Sequence, residues 1–455
     1  MKLFSSLIAI LFYIQNLFSQ SWDNIVTSNQ NFYYFNSASV DTISNTMYLG
    51  GLFDGINNIQ TKGIIKYNGV NFDSLSSGLT YTSSAIQQPV THCLKMFQNK
   101  LYVAGIFEKA GKYSLNNFAR WNGSDWDSIN FKLHGSISSM IVYNNELYVA
   151  GVFDSIGGNK SYNIAKYDGT NWYNVGQSYS PVTSIESFNS VLYRVGGDSA
   201  GVPCSDIEYF NGTNWIPWAC VYGGVTKSVS GIKTIDSMLY VYGKFDNIVG
   251  VNCRGLAAWD GSIWHSFNYG TTLGGFTNSF IKDVSKIQGN IYVSALGDSI
   301  NDELLSGYGI AKYDGTKWCR FMSPINGLVN FSIDYNDSLF FGGTTLIVGG
   351  SSPANGLIKW TGGQTTIFCE LLVSVNEIRL PYLSIYPNPT TSIINIVDEN
   401  NQFQNATIQI TNYLGQVVFI SPFTNQIDLR SLSSGMYFLT IFNKEKRQTN
   451  KFIKQ

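Results

Sequence analysis

The stretch "LYVAGIFEKAGKYSLNNFARWNGSDW" at residues 101–126 is followed closely by "LYVAGVFDSIGGNKSYNIAKYDGTNW" at residues 147–172. Both begin with residues apolar on both alternating faces, Leu147, Val149 and Phe153 on one and Tyr148, Ala150 and Val152 on the other, as a strand sandwiched between sheets requires. Both close on an Asn-Gly or Asp-Gly dipeptide between two short apolar runs, the composition of a hairpin. The opening motif returns as "MYLGGLFD" at 47, "LYRVGGD" at 192, "LYVYGKFD" at 239, "IYVSALGD" at 291 and "LFFGGTT" at 339. The closing motif follows each time, from "KYNGVNF" in the first unit to a degenerate "KWTGG" in the last. An alternating apolar run such as "SISSMIVY" precedes each opening motif, so a unit of 45 to 54 residues holds four strand segments, A to D.

Tight polar pairs ("NN" at 144, "QN" at 98, "ND" at 336) join A to B, and Asn-Gly or Asp-Gly joins C to D, whereas the B–C and D–A connections vary widely. In a radially repeated antiparallel sheet the variable connections emerge on one face. Units of this length with four strands predict an all-β fold, a seven-bladed β-propeller over residues 20–370, with an open β-solenoid as the alternative. The recurring Gly50, Gly105, Gly151 and Gly243 mark places where another backbone comes close. "SWDNI" at 21–25 looks like a D segment, and the last unit lacks a Trp after "KWTGG". The N-terminal strand is therefore expected to complete the last blade, unless "QTTIF" fills that place.

Of the 455 residues 44% are hydrophobic, enough for a sizeable core, while only 13% are charged and the formal net charge is -1. Nucleic acid is an unsuitable partner for a chain without a basic stripe. One Lys, an apolar run from Leu3 to Ile14 and a polar exit read as a signal peptide over residues 1–19, and no later stretch is long enough for a transmembrane helix. Six Cys in an exported chain can pair in fifteen ways. Cys204 and Cys220 flank one strand pair and are the favoured bridge, and Cys93 reads as a buried hydrophobe.

The repeat, with its Phe-Asp, its Gly-containing loop, Ile164 to Tyr167 and the Asp168-Gly169-Thr170 turn before Trp172, resembles that of large secreted bacterial propellers and of fungal cortical polarity markers. It is more distantly similar to kelch and galactose-oxidase propellers. Such a resemblance speaks of architecture rather than activity.

The period stops after a linker at 371–382. "LSIYPNPTTSIINI", "ATIQITNYLGQVV", "IDLRSLSSGMYFLTIF" and "RQTNKFIKQ" then read as a small immunoglobulin-like β-sandwich over residues 383–455. Tyr386, Pro387, Asn388, Pro389, Leu414, Gly415, Gly435, Tyr437 and Lys454 fall where the type A C-terminal sorting domain of the Bacteroidetes type IX secretion system has its recurring motifs, and the tail closely resembles that family. The resemblance implies transient partners, an outer-membrane translocon and a sortase-like peptidase, and a product secreted or attached to the outer-membrane surface after signal peptide cleavage.

An acidic residue ends segment B in six units (Asp54, Glu108, Asp154, Asp198, Asp246, Asp298). Loop capping is its expected role, because a hard cation needs six to eight oxygens. The three His, His92, His134 and His265, fall in different blades, and only His92 lies in an axis-lining segment. No catalytic constellation, metal site or cofactor is expected. The variable loops carry aromatics among Ser, Asn and Gly, a mixture suited to recognition: Tyr81, Tyr113, Tyr162, Tyr179, Tyr222, Tyr269, Phe276 and Tyr308. The expectation is a monomeric adhesin-like module for an extracellular glycan or protein, with a secreted hydrolase or oxidase acting on polysaccharide as the competing class.

Overall fold

The computed structural model describes residues 22–26, 32–83, 88–129, 131–176, 180–196, 206–223, 227–267, 276–277, 280–287, 289–296, 299–300, 303–304, 308–313, 315, 318–320, 325–344, 346–348, 352–354, 356–360, 383–398, 403, 405–412, 416–443 and 447–455. The chain divides into two compact units, Met1–Glu370 and Leu371–Gln455. Among the described residues every regular element is a strand.

One sheet plan recurs through the first unit. In the third repeat the A strand His134–Tyr143, the B strand Glu146–Ile156, the C strand Ile164–Tyr167 and the D strand Trp172–Asn174 are hydrogen-bonded in that order, all antiparallel. Sheets of the same order start from the A strands Phe32–Asp41, Val182–Phe188, Ser228–Ile235 and Phe280–Ile287. In the second repeat, built on Val90–Phe97, an isolated bridge from Trp121 to Trp126 stands in place of the D strand. The last sheet, Val329–Tyr335, Ser338–Gly343 and Leu357–Trp360, takes its fourth strand, Trp22–Asn24, from the other end of the unit.

Turn chemistry enforces this plan. In the A–B turn of the third repeat Asn144 and Asn145 both adopt positive φ, 48° and 58°, which suits the strand twist of a two-residue hairpin. At the C–D turn the Asp168 carboxylate accepts the amides of Thr170 and Asn171, each at 2.7 Å, while Gly169 supplies φ of 106°. Asn68, Asn122, Asn211 and Asp260 make the same Asx turn in their own repeats.

In the second, fourth and sixth repeats the Trp of segment D fastens its sheet to the one before it. Trp126 Nε1 donates to the Leu75 carbonyl at 3.1 Å, Trp215 Nε1 to Val175 at 2.8 Å and Trp318 Nε1 to Phe267 at 2.7 Å. Each ring is buried, so the bond satisfies a polar atom that burial would otherwise penalise. Each A strand also lies beside the A strand of the next repeat, and Val329–Tyr335 lies beside Phe32–Asp41, so the succession closes on itself. One core cluster at the closure unites Val26, Phe35, Met47 and Leu49 with Phe331, Tyr335, Phe340 and Leu357.

Cys93 and Cys253 are free thiols, and Cys220 is disulfide-bonded. Its favoured partner, Cys204, lies outside the described residues, as do the signal peptide and the 371–382 linker.

In the second unit, Leu383–Tyr386, Ile393–Asp398 and Gln426–Asp428 form one antiparallel sheet, and Val417–Pro422, Thr407–Asn412, Gly435–Phe442 and Arg447–Lys454 form another. Alternate residues Ile394 and Ile396, Ile408 and Ile410, and Tyr437, Leu439 and Ile441 share one core with Phe452.

Candidate functional site

The inner strands of the first unit share an irregularity. At one corresponding place in every A strand the pairing with B skips a residue, Asn36, His92, Ser138, Thr183, Ser230, Lys282 and Asn330 in chain order; the first A strand also skips Tyr33. A skipped residue of this kind is a β-bulge, which bends the strand and re-aims a side chain. All of these residues are polar.

A glycine faces the bulge in six of the seven repeats. Gly105 and Gly151 stand opposite the residue just before the bulge, and a Cβ there would overlap the carbonyl oxygen of Val90 or Ser136. Gly51, Gly196, Gly243 and Gly343 are placed in the same way, against Tyr34, Pro181, Ser228 and Leu328. In the first repeat the residue that another backbone approaches is thus Gly51, while the expected Gly50 is crowded by the Thr91 side chain. In the sixth repeat Ala295 takes the glycine's place, and the bulge there carries Lys282.

Six of the bulge residues, all but Ser138, line a single cavity of about 520 Å³, together with Ser228, Val229 and Phe280. Ser138 turns its hydroxyl to the Val182 carbonyl at 2.6 Å. Asn330 Nδ2 donates to the Phe35 carbonyl at 2.8 Å and to Asn36 Oδ1 at 3.3 Å, and Asn36 Nδ2 donates to Thr91 at 3.1 Å. Three inner strands are tied together this way. The Ser230 hydroxyl is buried without a hydrogen-bond partner. Burial lowers the pKa of both His92 and Lys282 from their usual values. Further along the same strands, Lys233 Nζ meets Asp283 Oδ1 at 3.0 Å, and Asp283 Oδ2 accepts the Ser332 amide and hydroxyl at 2.7 and 2.6 Å. Glu186 nearby is pushed up by burial.

The residues singled out on the variable connections fare differently. These connections are not free loops throughout. Leu79–Thr80, Lys109–Ala110 and Tyr113–Ser114 make a small sheet that pairs a D–A connection with the next B–C hairpin. Val221–Tyr222, Asn247–Ile248 and Val251–Asn252 make another. Tyr113 and Tyr222 therefore sit in short strands, and Tyr308 starts the strand Tyr308–Tyr313 instead of lying in a loop. The physical reason is that paired connections satisfy each other's backbone groups. Tyr162 and Tyr222 are exposed and Tyr81 is partly buried; Tyr179 and Tyr269 lie outside the described residues.

Among the acidic residues, Glu108 accepts from Thr82 and Ser83, in the preceding D–A connection rather than its own loop. Asp154 Oδ2 lies 2.8 Å from His134 Nδ1, and His265 Nε2 lies 2.6 Å from Asp260 Oδ2. Asp198 and Asp298 are outside the described residues. Among the described residues no group of three or more His, Cys, Asp or Glu side chains is arranged to hold a metal ion.

In the second unit, the Asn388 side chain bridges to the last strand, Nδ2 donating to the Lys451 carbonyl and Oδ1 accepting the Ile453 amide, both at 3.0 Å. Thr390 N donates to Ile453 O at 2.9 Å, and Gln455 N to Thr390 O at 2.8 Å. Tyr386, Pro387 and Pro389 are exposed beside this clasp. Tyr437 stacks on Phe452 with ring centroids 5.6 Å apart and donates to Ser433 O at 2.9 Å. Gly435 pairs with Lys454, whose side chain is largely buried. Leu414 and Gly415 lie outside the described residues. Residues 384–455, which hold this clasp, match the family described as secretion system C-terminal sorting domain.

The tail is a sorting domain. The sorting domain engages the type IX secretion machinery, and the protein is exported and ends secreted or attached to the outer-membrane surface. Among the described residues no helix is long and apolar enough to cross a membrane. No curated protein matches the chain. Among solved structures, it is similar to the extracellular domain of a protein described as a hybrid two-component system of B. thetaiotaomicron, with 10% identity and a TM-score of 0.47, covering 95% of this chain and 57% of that one. It is also similar to a GH74 enzyme of Niastella koreensis, with 9% identity and a TM-score of 0.46, covering 93% of this chain and 73% of that one. The chain thus spans little more than half the length of the extracellular domain that it matches.

Proposed function

We propose that residues 20–370 form a seven-bladed β-propeller, exported with the help of the 1–19 signal peptide, that binds an extracellular ligand in its axial cavity. The tail beyond the 371–382 linker is an immunoglobulin-like sandwich that a sortase-like peptidase removes once the outer-membrane translocon has recognised it. The protein acts as an adhesin-like binding module, monomeric, for a glycan or protein.

The observation that carries this reading is the ring of bulges. Each inner strand carries a bulge at the same place, and each of these bulges presents a polar residue. Among the described residues lining the cavity there are amides, hydroxyls, one Lys and one His, and no carboxylate. Such a lining suits recognition by hydrogen bonds.

The test is an array of extracellular glycans and proteins probed with the full chain and with Thr183→Trp, which fills the cavity. Saturable binding that Thr183→Trp abolishes is expected. Binding indifferent to that substitution would remove the cavity from the account, and turnover of a polysaccharide without saturable binding would favour the hydrolase or oxidase.

A further inference from the structure

We infer that the axial ring is a carboxylate site centred on Lys282, and that the ligand it takes is a sugar carrying a single carboxylate, a uronic-acid unit. The inference rests on the reading of the cavity as the binding site and adds the chemistry of what enters it.

Lys282 is the one permanent cation among the seven bulge residues. Among the described residues no carboxylate pairs with its ammonium; the neighbour it does have is the Phe280 ring, whose centroid is 4.4 Å from Nζ. The acidic residue next to it in the chain is committed elsewhere, since Asp283 holds Lys233 and Ser332. Half-burying a cation without a counter-charge is unfavourable, and fixed dipoles or an aromatic face offset only part of that cost. The depressed pKa of Lys282 has burial as its cause, with no neighbouring charge opposing it. A bound anion would supply the missing charge. The sixth repeat is also where the sequence departs from the pattern of its neighbours, with Ala295 in place of glycine beside the bulge.

The rest of the lining narrows the anion. A cavity of about 520 Å³ is far larger than an inorganic oxyanion needs. One permanent cation matches one negative charge; a phosphate dianion is ordinarily met by several cations or by an Arg fork. Burial pushes His92 down from its usual value, which favours the neutral ring with one N–H and one acceptor. The Ser230 hydroxyl has no protein partner, Thr183 donates to the Val195 carbonyl but keeps acceptor capacity, Asn36 and Asn330, tied to each other and to backbone carbonyls through their amide nitrogens, keep acceptor capacity on their oxygens, and Phe280 adds an apolar surface for ring C–H groups.

Calorimetric titration of the full chain with sodium glucuronate, glucose, acetate and sulfate tests this, with Lys282→Met, Lys282→Arg and Thr183→Trp as variants. Glucuronate is expected to bind at least about tenfold more tightly than glucose or acetate. Lys282→Met should lose about tenfold or more of that affinity and Lys282→Arg much less, with the melting temperature of each variant showing that it is folded. Glucose binding as tightly as glucuronate, with Thr183→Trp abolishing both, would overturn the charge assignment and leave the axial binding site standing. Sulfate or acetate matching glucuronate would mean an adventitious ion only and overturn the sugar. Glucuronate binding unaffected by both Lys282→Met and Thr183→Trp would overturn the cavity as well. The comparison of glucuronate with glucose decides the matter on the unmodified chain even if a variant fails to fold.

Discussion

Trp22 stands in register with Trp360 on adjacent antiparallel strands, one at the start of the first unit and the other in its last repeat. Asp23 pairs with Lys359 and Asn24 with Ile358 behind them, and Val26, fully buried, enters the core cluster shared by the first and last sheets. This joint pairs strands that would otherwise be open sheet edges.

Deleting residues 22–26 should therefore destabilise the first unit by about 3 kcal/mol or more, through lost pairing and the cavity left by Val26. Thermal denaturation followed by tryptophan fluorescence measures it. A melting temperature equal to that of the intact chain would mean that the ring is not held by this strand.

Gly151→Val should be among the most damaging single changes, because the new Cβ would overlap the Ser136 carbonyl at the bulge. A loss of more than about 3 kcal/mol in urea denaturation is expected. Val152→Ala, at an exposed neighbour, should cost under about 0.5 kcal/mol.

The indole clasp makes a contrast between two tryptophans. Trp126→Phe strands the Leu75 carbonyl and should cost about 1 to 3 kcal/mol beyond the loss of volume. Trp172 has a buried Nε1 without a partner, so Trp172→Phe incurs the volume change alone. Equal costs for the two would remove the hydrogen bond from the argument.

Hydrogen bonds from the hydroxyls of Ser83 and Thr82, and from the Thr82 and Ser83 amides, hold the Glu108 carboxyl down to about 2. Its stabilising contribution is complete above the unfolded carboxyl value of about 4.3 and is lost as pH falls through about 2. Glu108→Gln should melt below the natural protein at pH 7, and the gap should close at about pH 2. A gap that persists in acid would mean that the charge is not its source.

In the sorting domain, Asn388→Ala removes both side-chain bonds to the last strand. The expected cost is about 1 kcal/mol, read as roughly fivefold faster hydrogen exchange at the Ile453 amide. Unchanged exchange would mean that the Thr390 bonds alone secure the strand.

Much of this architecture was legible in the sequence because its causes are local. Asp168-Gly169 and Asn144-Asn145 announce their turns through side-chain caps and positive φ that neighbouring residues alone determine, and the period of the Trp residues follows from one sheet leaning on the next. The clasp at Asn388 was legible as a motif, although its partner strand was not. The ring at the inner strands was hidden: a bulge shifts an alternating pattern by one residue, and a single slip within "THCLKMF" or "FIKDVSKI" looks like ordinary irregularity. Aligning the A segments on their B-strand glycines would have exposed the column that runs from Asn36 through His92 to Lys282.

The sequence by itself determined the strands and their turns, which depend on residues within a few positions of one another, and it showed the repeat and the export tail as motifs built from those local units. Only the tertiary structure decided that the fourth strand of the last sheet is the expected Trp22–Asn24 and not "QTTIF", that the variable connections pair into small sheets of their own, and that Lys282 shares a cavity with Asn36 and His92. Those outcomes hang on contacts between residues tens to hundreds of positions apart, which form only when the inner strands are brought side by side.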